Sequence, residues 1–62
     1  MITATASKVV LEDNNHRFFN VWAEDRAVTH RRKTFKTFNN AIRYANELMS
    51  YYQVPNLTEQ RR

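Results

Sequence analysis

Hydrophobic residues between positions 37 and 52 recur with the spacing of an amphipathic helix. They lie at i, i+3, i+4, i+7, i+10, i+11 and i+14, which places them on one stripe of a helix with 3.6 residues per turn. Thr37 is a suitable N-cap, because its hydroxyl can accept from a backbone N–H of the first turn. Pro55 ends the helix, since it lacks an N–H and disfavours helical backbone at Val54. The stripe consists of Phe38, Ala41, Ile42, Ala45, Leu48, Met49 and Tyr52.

Three segments before this helix have the character of strands. They are residues 8–12, 16–24 and 27–35, separated by turns at 13–15 and 25–26. The chain has no glycine, so Asn14 and Asn15 must supply the left-handed backbone that a tight hairpin loop requires. We therefore expect an α+β fold in which a three-stranded antiparallel sheet is packed on one face by a single C-terminal helix (βββα).

The remaining segments fit one small domain spanning residues 1–62. Residues 1–7 alternate small apolar and polar side chains, and we expect a frayed arm there because such side chains bury little surface. Residues 56–62 are polar and end in two arginines, which predicts a flexible basic tail. No repeat, linker or second domain is visible in the sequence.

Alternation in the middle strand separates two faces of the sheet. The face predicted to pack against the helix contains Phe19, Val21 and Ala23, with Val9 and Leu11 opposite them if the first loop has three residues. The face left open contains Phe18, Asn20, Trp22 and Glu24. One helix can cover only one face of such a sheet, so this interpretation leaves aromatic side chains exposed to solvent.

The register of the second hairpin decides which cations share the open face with these aromatic side chains. If Glu24 pairs with Ala27, then Lys33, Arg31 and Thr29 lie opposite Phe18, Asn20 and Trp22, respectively. A shift of one residue replaces those neighbours with Arg32 and His30. In either register the open face has aromatic side chains beside cations.

Composition narrows the class of protein. A chain of 62 residues buries a small core and has marginal stability alone, so a homodimer in which two open faces meet remains an alternative. The chain has no cysteine, which excludes a disulfide framework and favours the cytoplasm. Residues 1–7 have no basic region followed by an apolar run, so we expect no signal peptide, and no apolar stretch is long enough to predict a membrane span.

Charge is distributed unevenly along the chain, whose formal net charge is +4. Residues 26–46 contain no acid, whereas acidic pairs at 12–13 and 24–25 lie at predicted turns, where we interpret them as solubilising. A basic surface of this kind favours an anionic partner. The cations of the acid-free segment are Arg26, Arg31, Arg32, Lys33, Lys36 and Arg43.

The run from Arg17 to Leu48 resembles the three-strand-plus-helix DNA-binding domains of the AP2 and integrase N-terminal (arm-binding) type. The shared features are an aromatic central strand, a basic strand ending in K-T-F-K-T, and a helix with Ala41 and Ala45 four residues apart. The resemblance implies that strand residues enter the major groove of DNA, which here implicates Arg17, Asn20, Trp22, Arg31 and Lys33. It also implies a free-standing accessory or regulatory factor of phage or mobile-element type.

Two classes of function follow, and neither is enzymatic. The sequence has no recognisable catalytic arrangement, no glycine-rich phosphate loop and no cluster of metal ligands, so we expect no cofactor and no metal. The first class is a nucleic-acid-binding protein, for DNA or RNA. The second is an adaptor or inhibitor that binds an acidic host protein, with the exposed aromatic residues as anchors. The candidate nucleic-acid-binding residues are Arg17, Phe18, Asn20, Trp22, Arg26, Arg31, Arg32, Lys33 and Lys36.

Overall fold

The computed structural model describes residues 6–61 and has the α+β architecture expected from the sequence. Four strands form a mixed sheet in the order β3-β2-β1-β4. β2 pairs antiparallel with both β1 and β3, whereas β4 runs parallel to β1. The elements in chain order are β1 (Lys8–Asn14), β2 (Phe18–Asp25), β3 (Val28–Phe35), α1 (Phe38–Tyr52) and β4 (Leu57–Arg61).

The fourth strand corrects the prediction of three strands followed by a flexible tail. Leu57–Arg61 pairs with the edge of β1, where Val9 aligns with Leu57 and Asp13 with Arg61. Helix α1 carries the chain back along the sheet after β3, so the strand that follows it runs parallel to β1, as a crossover connection requires. The side chains of β4 are mostly polar, so the strand is stabilised by backbone hydrogen bonds to β1 and not by burial of its side chains.

Helix α1 has the bounds and the cap that its sequence predicts. The hydroxyl of Thr37 accepts a hydrogen bond from the backbone N–H of Asn40 at 3.3 Å. At the other end, Gln53 adopts left-handed backbone with φ 57°, and its N–H donates to the carbonyl of Met49. The N–H of Val54 reaches the same carbonyl at 2.9 Å, immediately before Pro55. Both helix ends are therefore closed by local hydrogen bonds.

The core lies between α1 and one face of the sheet. Ala41 and Ala45 are fully buried, and their small side chains let the helix approach the strands closely. Phe38, although on the apolar stripe, is 45% exposed and meets the Phe19 ring edge-on at 5.8 Å. The predicted assignment of faces in β2 is confirmed. The core residues are Val9, Leu11, Phe19, Val21, Ala23, Ala41, Ala45, Leu48 and Val54.

The first hairpin has a loop of three residues, but these are residues 15–17 instead of the predicted 13–15, because β1 continues to Asn14. Asn14 pairs with Phe18, and Leu11 lies opposite Val21. The loop itself contains two residues of positive φ, Asn15 at 53° and His16 at 60°. The backbone N–H of His16 donates to Asp13 Oδ1 at 2.8 Å, so a side chain stabilises a loop that has no glycine.

The second hairpin differs from both predicted registers. Its turn is Arg26 and Ala27, with φ of 49° and 68°, instead of residues 25–26. Two consecutive positive φ values are typical of the type I′ turn, whose twist matches that of the strands. Asp25 consequently pairs with Val28, and Glu24 pairs with Thr29. The predicted pairing of Glu24 with Ala27 is wrong.

Farther along the same hairpin, β3 contains a β-bulge. Ala23 lies opposite His30 and Val21 opposite Lys33, so a single residue of β2, Trp22, faces two residues of β3. One of these is Arg31, whose φ is 54°. The bulge changes which side chains of β3 share a face, and alternation along the sequence could not reveal this.

Residues 1–5, most of the predicted frayed arm, lie outside the described part of the chain. Within that arm, Ser7 is described, and both its N–H and its hydroxyl donate to the carbonyl of Glu24 at 2.8 Å. In the range 6–61, no helix combines the length and apolarity needed to cross a membrane.

Candidate functional site

The sheet face that points away from α1, here called the open face, has a row of polar side chains running across all four strands. Glu12 of β1 aligns with Asn20 of β2 on one side and with Gln60 of β4 on the other. Asn20 aligns in turn with Thr34 of β3. We call Gln60, Glu12, Asn20 and Thr34 the polar row. The order of the strands and their registers, including the bulge in β3, bring these four side chains together.

Hydrogen bonds fix the inner members of the polar row. The hydroxyl of Thr34 donates to Asn20 Oδ1 at 2.6 Å, and Asn20 Nδ2 donates to Glu12 Oε1 at 3.0 Å. Asn20 is 4% exposed and Glu12 8% exposed, so both lie well below the surface. Such bonds are strengthened by the low dielectric constant around buried groups. The amide and the carboxylate are therefore held in a defined orientation.

Two aromatic side chains flank the polar row on β2. Phe18 and Trp22 lie two residues before and after Asn20, and both are half-buried. The indole N–H of Trp22 donates to Glu24 Oε1 at 3.2 Å. The guanidinium carbon of Arg32 lies 5.5 Å from the centroid of the Trp22 ring, within the range of a cation–π contact. Val10, aligned with Trp22, is fully buried, so side chains of the open face partly cover one another.

Three members of the polar row, Glu12, Asn20 and Gln60, line a shallow concavity of about 430 Å³ on the open face. Most of the other groups that line it are polar, and its aromatic members are Phe18 and Trp22. Two carboxylates, those of Glu12 and Glu24, line it together with the cation of Arg32. The concavity therefore has carboxylates that accept hydrogen bonds and an arginine that can bind an anion.

Electrostatic contacts hold the Glu24 carboxylate in its charged form. The hydrogen bond from the Trp22 indole lowers the pKa of Glu24, and the nearby Lys8 lowers it further. The Lys8 ammonium lies 3.3 Å from Glu24 Oε2. Because the carboxylate also binds the indole, its protonation state is linked to the position of the Trp22 ring.

The bulge separates the cations that the sequence placed together. Arg31 turns towards α1, where its guanidinium carbon lies 4.7 Å from the Tyr51 ring centroid. A hydrogen bond with Tyr52 is the main cause of the raised pKa of Arg31. The Lys33 ammonium lies 5.1 Å from the Tyr44 ring, also on the helix side. Of the cations predicted to accompany Trp22, Arg32 lies beside it on the open face.

Helix α1 also contacts the backbone of the bulge. The hydroxyl of Tyr44 donates to the carbonyl oxygen of Arg31 at 2.7 Å. Burial raises the pKa of Tyr44, so the hydroxyl keeps the proton that it donates. Left-handed backbone at a residue with a Cβ is energetically unfavourable, and this hydrogen bond opposes that cost.

The other predicted binding residues lie around the margin of the sheet. Arg17 is exposed in the first loop, Arg26 in the second turn and Lys36 just after β3. They do not line the concavity. Phe18, Asn20, Trp22 and Arg32 are the predicted residues that line it.

Three members of the polar row, Glu12, Thr34 and Gln60, were absent from the predicted site. Glu12 was interpreted as a solubilising turn residue, which is wrong because it is buried within β1. The predicted loop at 13–15 would pair Glu12 with His16, whereas the observed loop at 15–17 puts Glu12 directly opposite Asn20. Thr34 could not be placed, because its partner depends on the bulge.

Within residues 6–61, no three His, Asp or Glu side chains come together as a group that could hold a metal ion. The resemblance to AP2 and integrase arm-binding domains stays a prediction. In comparisons with known proteins, no family model, curated protein or solved structure matches this chain.

Proposed function

We propose that this chain binds single-stranded nucleic acid through the open face of its sheet. Trp22, together with Phe18 and Arg32, contacts unstacked bases, and the exposed cations along β3 contact phosphates. The observation that supports this most directly is the Arg32 guanidinium against the Trp22 ring, beside a concavity lined mostly by polar residues. Aromatic rings and arginine planes are the usual platforms for unpaired bases.

The position of β3 supports a path for the phosphates. β3 forms one edge of the sheet, and its sequence has three consecutive cations, Arg31, Arg32 and Lys33, and no acid. Arg26 precedes the strand and Lys36 follows it, so cations are spaced along the whole edge. The acids lie on other elements. A backbone that follows β3 would meet positive charge along its length while its bases reach the open face.

A salt titration tests this proposal. Binding of a fluorescein-labelled oligonucleotide of about ten residues is measured by anisotropy at several salt concentrations. Each phosphate contact on a single strand contributes roughly −0.7 to the slope of log K against log salt, so three to five contacts give a slope of about −2 to −4. The chain has one tryptophan, so quenching of its emission by single strands but not duplex would indicate stacking on Trp22.

A flat salt response, or no binding at about 100 mM salt, would contradict nucleic-acid binding. The second class of function would then be favoured by a specific feature, the two carboxylates Glu12 and Glu24 in the concavity. These carboxylates accept hydrogen bonds and repel anions. They therefore suit a protein partner with hydrogen-bond donors better than they suit a nucleic-acid backbone. In that case Phe18 and Trp22 would act as anchors, and Trp22→Ala would abolish binding of the partner.

A further inference from the structure

We infer that the sugar–phosphate backbone of the bound strand lies on the helix side of β3, in a cleft between β3 and α1, while its bases reach over β3 to the open face. This inference rests on the proposed function and adds Arg43 of α1 to the binding surface. It follows from the charges on the two sides of β3 and from the position of β3 at the edge of the sheet.

The cleft, here called the β3–α1 cleft, is shallow and has a volume of about 310 Å³. Its strand side consists of Lys33 and Phe35, which align with Val21 and Phe19 and so belong to the face that packs against the helix. Its helix side consists of residues at i, i+3, i+4 and i+7, which form one stripe of α1. These residues are Asn40, Arg43, Tyr44 and Glu47.

Tyr44 joins the two sides of the β3–α1 cleft. Its ring centroid lies 5.4 Å from that of Phe35 and 5.1 Å from the Lys33 ammonium. Its hydroxyl donates to the carbonyl oxygen of Arg31 at 2.7 Å. These contacts tie the helix to the strand, so Lys33 from β3 and Arg43 from α1 line the same cleft.

The balance of charge differs between the two sides of β3. The β3–α1 cleft is lined by two cations, Lys33 and Arg43, and by one acid, Glu47. The concavity on the open face is lined by two acids and one cation. Phosphates are therefore attracted more strongly to the cleft than to the concavity. Lys33 and Arg43 are both exposed, and a guanidinium can form two parallel hydrogen bonds with a phosphate.

The edge position of β3 lets one strand of nucleic acid contact both sides. β3 is the outermost strand at its end of the sheet, and Trp22 lies on the neighbouring strand β2. Neighbouring strands are about 4.8 Å apart, so a base directed over β3 from the cleft side meets the Trp22 ring after one strand spacing. Arg32 lies against that ring. The bases and the phosphates thus contact different faces of the same strand.

The first experiment compares two arginine variants with the wild type, using the labelled single strand of the salt titration. We expect Arg43→Gln to lower the affinity about fivefold at about 0.1 M salt and to make the slope of log K against log salt shallower by about 0.7, the values for one lost phosphate contact. Arg61→Gln is the control, because it removes the same charge from an exposed position on β4, at the other edge of the sheet. Its affinity should stay within about twofold of the wild-type value.

Quenching of Trp22 at saturating ligand shows whether the open face is intact in Arg43→Gln. Arg43 is exposed on the helix, and glutamine is a good helix former, so the substitution should preserve the fold. We expect the same quenching at saturation as in the wild type, reached at a higher ligand concentration.

The second experiment looks for a gain in affinity, which misfolding cannot produce. Glu47→Gln removes the one acid of the β3–α1 cleft. We expect it to tighten binding about threefold, the effect of one like charge several Å from a phosphate in water. Glu59→Gln is the matched control, since it removes the same charge from an exposed position on β4. Its affinity should rise less than that of Glu47→Gln.

The outcomes separate the inference from the function on which it rests. Equal affinities and slopes for Arg43→Gln and Arg61→Gln would overturn the contact in the cleft and leave nucleic-acid binding intact. Equal gains for Glu47→Gln and Glu59→Gln would also overturn it, as would reduced quenching at saturation in Arg43→Gln. Failure of the wild type to bind the single strand would reject the proposed function itself.

Discussion

The hydroxyl of Tyr44 on the helix donates to the carbonyl oxygen of Arg31 in β3 across 2.7 Å, at a residue whose φ is 54°. This bond joins the helix to the bulge that directs Arg31 towards α1 and Arg32 towards Trp22. The composition of the open face thus depends on a contact made from the opposite side of the sheet.

Removing that bond should weaken the fold. We expect Tyr44→Phe to lower the free energy of unfolding by about 1 kcal/mol, the usual net value of one hydrogen bond, as measured by urea denaturation. Tyr51→Phe is the comparison, because the exposed Tyr51 meets Arg31 mainly through its ring, which phenylalanine retains. Equal stability of Tyr44→Phe and the wild type would show that the bond does not support the bulge.

A glycine in the second turn should stabilise the protein. Ala27 has a φ of 68°, which glycine adopts without the steric cost that a Cβ imposes. We expect Ala27→Gly to raise the free energy of unfolding by about 0.5–1 kcal/mol, a net gain after the greater entropy lost by glycine. The same substitution at Ala23, a fully buried position within β2, should destabilise the protein. Thermal denaturation of both variants would reveal whether their effects have opposite signs.

Acid should release Trp22 from Glu24. The pKa of Glu24 is lowered in the folded protein by its hydrogen bond from Trp22 and by Lys8. Its contribution to stability is therefore complete above the ordinary glutamate value of about 4.3 and is lost as the pH falls through the lowered value. We expect Trp22 emission to change in that range, before global unfolding.

Two variants test this assignment. Glu24→Gln retains an acceptor for the indole but cannot titrate, so the early change in emission should vanish. Glu47→Gln, on the exposed side of the helix, should retain it. An identical acid titration in Glu24→Gln and the wild type would rule out Glu24 as its source.

Substitutions of Arg32 and Arg61 distinguish binding at a defined site from binding by the net positive charge of the protein. Arg32 lies beside Trp22, whereas Arg61 is exposed on β4 at the other edge of the sheet. Each change to alanine removes one charge, yet we expect Arg32→Ala to weaken oligonucleotide binding about tenfold and Arg61→Ala about twofold or less. Equal losses in anisotropy titrations would indicate binding by net charge without a defined face.

Deleting β4 should expose the interior strand of the sheet. β1 is buried through Val9, Val10 and Leu11, and β4 pairs with its outer edge. We expect a chain ending at Asn56 to lose several kcal/mol of stability or to associate, because an exposed apolar edge pairs with other chains. Deletion of Arg62 alone is the control. Chemical denaturation and the sedimentation of both truncated chains measure the effect, and unchanged behaviour would show that β4 is dispensable.

The burial of β1 shows how a signal in the sequence was missed. Three consecutive apolar residues, Val9 to Leu11, are typical of a strand covered on both faces and flanked on both sides. The prediction nevertheless left β1 with one neighbour. The partner, Leu57–Arg61, has a single apolar residue, so neither hydrophobic periodicity nor β-propensity identifies it as a strand.

Local interactions explain what the sequence determined by itself. The helix from Phe38 to Tyr52 follows from its apolar period, its Thr37 cap and Pro55, all within a few residues of one another. The faces of β2 follow from alternation, and the three-residue length of the first loop was expected, although the loop lies two residues later than predicted. Each of these features depends on neighbours in the chain, so the sequence alone suffices.

Only the tertiary structure decided the fourth strand, the bulge and the polar row. β4 exists because the backbone of β1 has an edge to pair, and the bulge is held by a tyrosine from the helix. The β1–β4 pairing and the Tyr44–Arg31 hydrogen bond both join segments that are separated in the chain. In each contact a hydrogen-bonding partner is a backbone group, which every residue has. Such groups leave no pattern in the sequence, and the fold must bring them together before Glu12, Asn20 and Gln60 can form one surface.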